Sequence, residues 1–363
     1  MDKTNLYDIG YSDEYKEEAR KYEENLCPGR VSAQHKKMYK VITEEGDLQA
    51  EISGKLGFSA ASLEGYPAVG DWVLLDRISD VNGNAIIRHI LSRKNCFKRK
   101  AAGTGNELQI IAANIDTIFI CMSLNNDYNL RRVERYLSIA WDSMALPVII
   151  LTKADLCTDL SEKLIELETV AIGIDVIVTS SINGDGYTDT QKFIKKRNTV
   201  AFIGSSGVGK STLINKLIGE DILATKEIRE DDGKGRHTTT HRQLIVLPEG
   251  GVVIDNPGMR EIQIAASDLS MTFADIEELE EQCHFDNCKH EAEPMCAVRD
   301  AITNGTLSIE RLTNYKKLQR EILFEERKKK MTSGQLEKLK MIDMMGSLGA
   351  YKQARKHNKK IKR

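Results

Sequence analysis

The order of two short motifs constrains the fold of this chain more than any other feature. Thr152–Asp155 reads x-Lys-x-Asp, and Gly204–Ser211, later in the chain, reads Gly-x-x-x-x-Gly-Lys-Ser. Ordinary P-loop GTPases carry the phosphate-binding loop first and the base-reading motif second. The reversed order therefore predicts a circularly permuted domain, whose motifs meet in space rather than in sequence.

The phosphate-binding loop is supported by its surroundings. It follows a β-prone run, residues 199–203, and opens a helical stretch, residues 211–217, which is the context that this motif requires. Glycine amides and the helix N-terminus can hold phosphate oxygens there, with Lys210 on the β- and γ-phosphates and Ser211 on Mg²⁺. The alternative is a glycine-rich turn with a chance lysine. The predicted contact residues are Gly204, Ser205, Ser206, Gly207, Val208, Gly209, Lys210, Ser211 and Thr212.

An apolar strand at residues 251–255 ends in Asp255-Asn256-Pro257-Gly258. We expect Asp255 to hold Mg²⁺, directly or through water, and the Gly258 amide to face the γ-phosphate. Taken alone, the same four residues make a good turn.

A polar, glycine-rich segment lies between these motifs, residues 230–240. We expect it to close on the nucleotide as a switch, with the Thr239 hydroxyl on Mg²⁺ and the γ-phosphate. By itself the segment fits an exposed loop that leads into a strand at residues 243–247 better than it fits a switch.

Base recognition is predicted at the end of another apolar strand, residues 148–151. The Asp155 carboxylate can accept hydrogen bonds from guanine N1–H and N2–H₂, which adenine does not offer. The segment 179–184 can cap guanine O6 with its backbone, although its sequence also fits a plain turn. The predicted base-side residues are Thr152, Lys153, Ala154, Asp155, Ser180 and Ser181.

Together these motifs resemble the ribosome small-subunit-dependent GTPase A family. The resemblance covers roughly residues 30 to 321 and runs on into Phe273-x-Asp275-Ile276, the cysteine-rich segment 283–298 and Arg311-x-x-x-Tyr315. It implies a GTP hydrolase that acts late in maturation of the small ribosomal subunit and binds its rRNA.

Three positions bear on how closely the family pattern is followed. Thr152 stands where GTPases most often carry asparagine, so we expect an altered contact with the base loop and a lowered nucleotide affinity. Asn256 occupies a variable position. Met259 stands where many GTPases have a water-orienting glutamine, and methionine cannot orient water. His237, in the switch segment, is our candidate for that task.

Four ligand-type residues lie close together near the C-terminus: Cys283, Cys288, His290 and Cys296. Three thiolates and one imidazole suit a tetrahedral structural zinc, and the family has a zinc site here. Disulfides are the alternative. The odd total of seven cysteines argues against them and for a reducing compartment.

The fold class we predict is α/β, in five consecutive parts. Short alternating runs at residues 38–43, 48–52, 71–76 and 85–90, separated by glycine-containing turns, indicate a small β-barrel, of the five-stranded oligonucleotide-binding (OB) type. Tyr11, Tyr15, Tyr22 and Leu26 share one face of a preceding helix, which we expect to dock on the protein body rather than on a partner. The predicted boundaries are 1–29 for the N-terminal helical extension, 30–100 for the barrel, 101–270 for the permuted GTPase domain, 271–321 for the zinc-binding domain and 322–363 for a basic helical tail.

Charge is unevenly distributed along the chain. Residues 315–363 hold sixteen lysines and arginines against five acidic residues, a net +11, whereas the rest of the 363-residue chain carries −13. Such a tail suits RNA phosphates, although a solvated helix is the simpler alternative. The segment 88–100 is a second basic cluster. Without a long apolar run or a signal-like N-terminus, we expect a cytoplasmic monomer that binds GTP or GDP and no membrane.

Two other function classes compete with GTP hydrolysis. One is a module that holds nucleotide without turnover, as an RNA chaperone or checkpoint, and the other is a P-loop kinase for small molecules. Lys210, Ser211 and Asp255 favour hydrolysis, and the x-Lys-x-Asp motif disfavours the kinase.

Overall fold

The structure is a computed structural model that describes residues 3–22, 25–60, 62–79, 83–100, 107–223, 242–255, 268–330 and 335. Its strands are β1 (Cys27–His35), β2 (Met38–Thr43), β3 (Gly46–Ile52), β4 (Trp72–Leu75), β5 (Ala85–Ile90), β6 (Cys96–Lys100), β7 (Leu108–Ala113), β8 (Thr117–Ser123), β9 (Leu146–Thr152), β10 (Asp175–Val178), β11 (Thr199–Gly204), β12 (Gln243–Val246) and β13 (Val252–Asp255). Its α-helices are α1 (Asp13–Ala19), α2 (Gly54–Ser59), α3 (Leu130–Asp142), α4 (Leu160–Glu168), α5 (Tyr187–Gln191), α6 (Lys210–Ile218), α7 (Ala274–Glu281), α8 (Ala297–Thr303) and α9 (Ile309–Lys330). Short 3-10 helices cover Leu6–Ile9, Leu63–Gly65 and Ala154–Leu156.

Six strands form the sheet that positions the predicted nucleotide motifs, in the order β10-β9-β8-β11-β13-β12. All neighbours are parallel except β12, which is antiparallel to β13. Strands β8 to β10 precede β11 in the chain, yet β8 pairs directly with β11. Since backbone pairing depends on adjacency in space, the permuted order leaves the sheet complete. The carboxyl ends of β9, β10, β11 and β13 therefore meet at one edge.

Five strands close into a barrel in the order β1-β2-β3-β5-β4, completed by antiparallel pairing of β4 with β1. Alternate residues fill its interior, among them Val31, Val41, Leu48, Ala50, Val73, Leu75, Ala85 and Ile87. The predicted five-stranded barrel is thus confirmed. A single register pair, Ala33 with Gln243, joins β1 to β12 and so connects the barrel to the larger sheet.

The N-terminal segment docks on the protein body, as expected, but the prediction of one helix that carries all four residues is wrong, because α1 ends at Ala19 and Tyr11, Tyr22 and Leu26 lie outside it. The Ser12 hydroxyl caps α1 by accepting from the Tyr15 amide. Tyr11 and Tyr15 are buried, with their rings 4.9 and 5.9 Å from that of Trp72 on β4. The Tyr15 hydroxyl also donates to Asn114 Oδ1 at 2.9 Å, beyond the end of β7. The segment therefore packs against both the barrel and the region that follows it.

Strand β6 pairs with β7 in a separate two-stranded sheet. This pairing crosses residue 100, where we placed a domain boundary. Part of the basic cluster 88–100 is also used internally, because Arg93 forms a 2.7 Å ion pair with the buried Asp71 and Lys98 lies 3.5 Å from Glu64.

Helix α9 packs on α3, next to the larger sheet, and α7 packs on α8. Phe273, just before α7, is fully buried and lies 5.2 Å from the ring of Tyr315 on α9. Leu312 and Leu318 bury the same side of α9. Among the helices that the structure describes, none is long and apolar enough to cross a membrane.

Candidate nucleotide and metal sites

The phosphate-binding loop lies between β11 and α6, as its sequence context indicates. Gly204 has φ of 148°, and a Cβ atom there would lie 2.5 Å from the Cys121 carbonyl oxygen. Gly209, the residue before α6, has φ of 101°. Both positions need glycine, because L side chains rarely adopt such φ values. The loop thus turns sharply and brings its amides to the N-terminus of α6.

Lys210 and Asp255 lie at the centre of this edge, and both are buried. The Lys210 ammonium donates to the carbonyls of Gly204 and Ser205 at 2.9 and 2.7 Å. Burial lowers the pKa of Lys210, although Cys121 and Asp255 oppose this effect. Burial raises the pKa of Asp255, whereas the charge of Lys210 lowers it.

The Asp255 carboxylate can accept a cation. Its Oδ2 atom is buried and has no hydrogen-bond partner among the residues that the structure describes. A buried carboxylate oxygen without a partner is costly, and carboxylate oxygens are the ligands that Mg²⁺ prefers. Ser211, on the first turn of α6, is half-buried. The donor set at this edge therefore fits a hard cation.

The predicted base-reading residues come from two strand ends that pair side by side. Asp155 is exposed and lies in the 3-10 helix after β9, and Ser180 follows β10. The Ser180 hydroxyl donates to Asp155 Oδ1 at 2.7 Å. The Ala154 amide also donates to the Thr179 carbonyl at 3.1 Å. Ser180 therefore orients the carboxylate, which keeps further lone pairs for a base. The sequence predicts only a backbone role for this segment, so the contact of the Ser180 hydroxyl is an addition from the structure.

Thr152 and Lys153 connect the base-reading motif to the phosphate-binding loop. The Thr152 hydroxyl donates to the Val208 carbonyl, and the Lys153 ammonium donates to the Gly207 carbonyl at 2.8 Å. Lys153 has φ of 60°, in the left-handed region that non-glycine residues seldom adopt. The hydroxyl at position 152 thus contacts the phosphate-binding loop, a role that the sequence alone did not indicate.

Two residues of α3 approach the same loop, and sequence reasoning missed both. Arg132 Nη1 donates to the Ser205 hydroxyl at 2.8 Å and to Asp127 Oδ2 at 2.8 Å. The buried Tyr136, one turn later, also hydrogen-bonds the Ser205 side chain. No local motif marks these residues, and only their spacing of four on a helix was available as a signal.

The structure brings Cys283, Cys288, His290 and Cys296 together in the C-terminal region. Their ligand atoms all lie within 4.8 Å of one another, so the cluster can hold a metal ion. The Cys283 and Cys296 sulfurs are 3.8 Å apart, and His290 Nδ1 lies 3.4 Å from the Cys296 sulfur. All seven cysteines are free thiols, so the disulfide alternative receives no support.

Glu280 on α7 contacts the histidine of this candidate metal site. Its Oε1 atom lies 2.9 Å from His290 Nε2, and its Oε2 atom accepts from the Tyr315 hydroxyl at 3.2 Å. The two nitrogens lie on different sides of a rigid imidazole ring. The contact of Nε2 with Glu280 therefore orients the ring so that Nδ1 faces the cysteine sulfurs. A carboxylate on the second nitrogen is the usual arrangement for a metal-bound histidine.

Several predicted residues lie outside the part of the chain that the structure describes. They are His237, Thr239, Asn256, Gly258 and Met259, together with the tail from residue 331 onward apart from residue 335.

Residues 90–265 match the family model described as RsgA GTPase. A protein of Lactiplantibacillus plantarum named small ribosomal subunit biogenesis GTPase RsgA 2 is 53% identical over 327 residues, which is 90% of this chain and 91% of that protein. Small ribosomal subunit biogenesis GTPase RsgA 1 of Listeria innocua is 46% identical over 302 residues, 83% of this chain and 85% of that protein.

Solved structures show the same architecture. YjeQ from Thermotoga maritima superposes with a TM-score of 0.59 at 28% identity and covers 82% of this chain and 99% of its own. YloQ, described as a circularly permuted GTPase, gives a TM-score of 0.55 at 25% identity and covers 82% of this chain and 96% of its own. The permuted order that the motifs predict is therefore confirmed.

Proposed function

Because this chain belongs to the RsgA GTPase family, we propose that it hydrolyses GTP to GDP and phosphate in the maturation of the small ribosomal subunit. One observation carries the catalytic part of this proposal. The carboxyl ends of four strands bring the phosphate-binding loop, the base-reading motif and the buried Asp255 carboxylate to one edge of the sheet. A guanine nucleotide spans the same three functions, namely phosphates, base and Mg²⁺.

The nucleotide would be held from both ends. Asp155, oriented by Ser180, accepts the guanine N–H groups, and the amide of Ser181 caps O6. The loop amides of residues 204–209 and the Lys210 ammonium hold the phosphates. The Lys210 ammonium donates to two loop carbonyls. Phosphate oxygens would replace these acceptors, so the buried ammonium would keep its hydrogen bonds.

Mg²⁺ would be held by Ser211, Asp255 and, after closure of the switch segment, Thr239. The ion neutralises charge on the β- and γ-phosphate oxygens. The place of Asp255 in this set is supported by its Oδ2 atom, which has no hydrogen-bond partner in the described part of the chain. Gly258 would contribute its amide to the γ-phosphate.

The metal of the C-terminal cluster would be zinc in a structural site. Three thiolates and one imidazole suit tetrahedral zinc, and sulfurs about 2.3 Å from the ion are separated by roughly 3.7 Å. The observed separation of 3.8 Å between Cys283 and Cys296 supports this choice. All four ligands come from protein, so zinc would stabilise residues 271–321 rather than take part in hydrolysis.

The chain would act as a monomer in the cytoplasm, on the rRNA of the small subunit. The barrel of the OB type offers a nucleic-acid-binding surface, and the basic residues of 322–363 offer charge for phosphates. The part of the basic cluster that is ion-paired internally, Arg93 and Lys98, contributes less to such a surface.

Release of phosphate from GTP, with and without purified small ribosomal subunits, tests this proposal. We expect slow release from GTP alone, faster release with subunits, and little release from ATP, which lacks the groups that Asp155 reads. GTP binding without phosphate release, even at saturating subunits, would instead support the alternative of a nucleotide-holding RNA chaperone.

His237 would orient the attacking water once the switch segment closes on the subunit, because Met259 cannot do so. We expect His237→Ala to bind GTP like the wild type and to lose about tenfold or more of its subunit-stimulated turnover. Thr239→Ala should in addition raise the Mg²⁺ concentration that is required for half-maximal turnover. Stimulated turnover of His237→Ala equal to that of the wild type, at saturating subunits, would remove His237 from this role.

A further inference from the structure

Helix α3 carries polar side chains on two opposite faces, and each face contacts a different part of the molecule. Consecutive helical residues are rotated by about 100°, so Arg132 and Tyr136 share one face. Glu134 and Ser138 share the face roughly opposite. Between the two faces, Val133, Leu137 and Ala140 are buried. The helix is therefore held firmly in the core and has little freedom to shift on one side alone.

The first face contacts the phosphate-binding loop through Ser205. This residue is 5% exposed; its hydroxyl accepts from Arg132 at 2.8 Å and is also hydrogen-bonded to Tyr136. Asp127, just before α3, accepts from the same Nη1 atom of Arg132 at 2.8 Å, which directs the guanidinium at Ser205. Ser205 directly follows Gly204, the residue where the loop leaves β11. Its position therefore influences the direction in which the next amides point.

The second face contacts the C-terminal helices through buried charges. The Glu134 carboxylate is fully buried and accepts from Arg311 at 2.8 Å and from Asn314 at 2.5 Å, both on α9. Arg311 also forms two hydrogen bonds with Asp275 on α7, at 2.8 and 2.7 Å. Although burial alone would lower it, these carboxylates raise the pKa of Arg311.

Two more contacts extend this interface along α3. The Ser138 hydroxyl lies 3.1 Å from the Thr272 hydroxyl, and Arg135 forms a 2.7 Å ion pair with Glu321. Breaking a buried ion pair leaves an uncompensated charge at high cost. The C-terminal helices are thus fastened to α3, and a displacement of α3 would require them to follow.

We propose that Arg132 is a positioning residue that sets the phosphate-binding loop through Ser205, and that α3 thereby links nucleotide binding to the packing of α9. The inference rests on the proposed function, since it concerns the same nucleotide site. In the sequence, the Asp255 strand already leads into the C-terminal helices. Helix α3 would provide a second connection between the nucleotide site and those helices. Linkage is reciprocal, so a change at α9 also alters nucleotide affinity.

A double-mutant cycle tests the first half of the proposal. We expect Arg132→Ala and Ser205→Ala each to weaken binding of GDP and a non-hydrolysable GTP analogue by about three- to tenfold. The double variant should bind nucleotide no more weakly than the weaker-binding single variant, because both substitutions remove the same hydrogen bond. Arg132→Lys, which keeps a donor, should recover part of the loss. Arg77→Ala is the matched control, since Arg77 pairs with an aspartate, Asp76, in the barrel.

Hydrogen exchange of α9 residues 309–322 tests the second half. In the wild type, saturating GDP should change the rate of amide exchange in these residues. In Arg132→Ala, at a GDP concentration that also saturates the variant, this change should be much smaller. Additive losses in the double variant, wild-type affinity in Arg132→Ala, or α9 exchange that ignores nucleotide in the wild type would each overturn the proposal. Failure of wild-type protein to bind GTP would instead overturn the proposed function.

Discussion

Asp155→Asn is expected to reduce GTP affinity about a hundredfold while leaving the fold intact. Each hydrogen bond to a charged acceptor contributes roughly 1.5–3 kcal/mol, and the carboxylate would accept two from guanine. Asparagine also keeps an oxygen for the Ser180 hydroxyl, which now donates to Asp155 at 2.7 Å. Competition binding with GTP and ATP measures the loss of guanine preference.

Xanthosine triphosphate provides a positive control for this variant. Xanthine has a carbonyl where guanine has its amino group, so the amide of asparagine can donate to it. We therefore expect xanthosine triphosphate to bind Asp155→Asn better than it binds the wild type. Asp175→Asn, an exposed aspartate at the opposite end of β10, should leave all three affinities unchanged. Unchanged GTP and ATP competition curves in Asp155→Asn would reject the base-reading assignment.

Cys288→Ser is expected to reduce bound zinc from one equivalent to none at chelator concentrations that the wild type withstands. A serine hydroxyl is a poor zinc ligand, and loss of one of four ligands removes most of the binding free energy that supports local folding. Elemental analysis gives the metal content. Hydrogen exchange should increase in residues 283–303, where the ligands and α8 lie.

Nucleotide binding should survive this substitution, because the contacts of Arg311 and Asn314 with Glu134 keep α9 packed on α3 and involve no metal ligand. Cys27→Ser, another half-buried thiol, is the matched control and should keep full metal content. Wild-type protein purified without chelator and found to contain no zinc would contradict the assignment outright.

The motifs that define the nucleotide and metal sites could be predicted because each is local. In Gly204–Ser211 the glycines, the lysine and the serine lie within eight consecutive residues. Their spacing alone therefore predicts which groups face a phosphate. The same holds for Cys283 to Cys296, whose spacing suits a single metal ion. The reversed order of the motifs likewise indicated the permuted sheet before any contact was known.

The barrel was predictable in part. Its runs of alternating apolar residues matched β2 and β5, residue for residue. Strand β1 was not among them, because its first residues include Pro28 and Gly29, which favour turns, and the charged Arg30. Arg30 is fully buried and donates to the carbonyls of Ile9, Gly70 and Asn114 and to the Thr199 hydroxyl. A charged residue in a short strand reads as exposed until those partners are known.

The sequence by itself thus predicted the family and the permuted order, both of which are confirmed, and it supplied the candidates for nucleotide and metal contacts. Only the tertiary structure decided what orients those groups. Ser180 on Asp155, Arg132 on Ser205 and Glu280 on His290 are contacts between separate elements. Such pairs leave no fixed spacing in the chain, because strand pairing and helix packing, rather than sequence distance, bring their atoms within hydrogen-bond range.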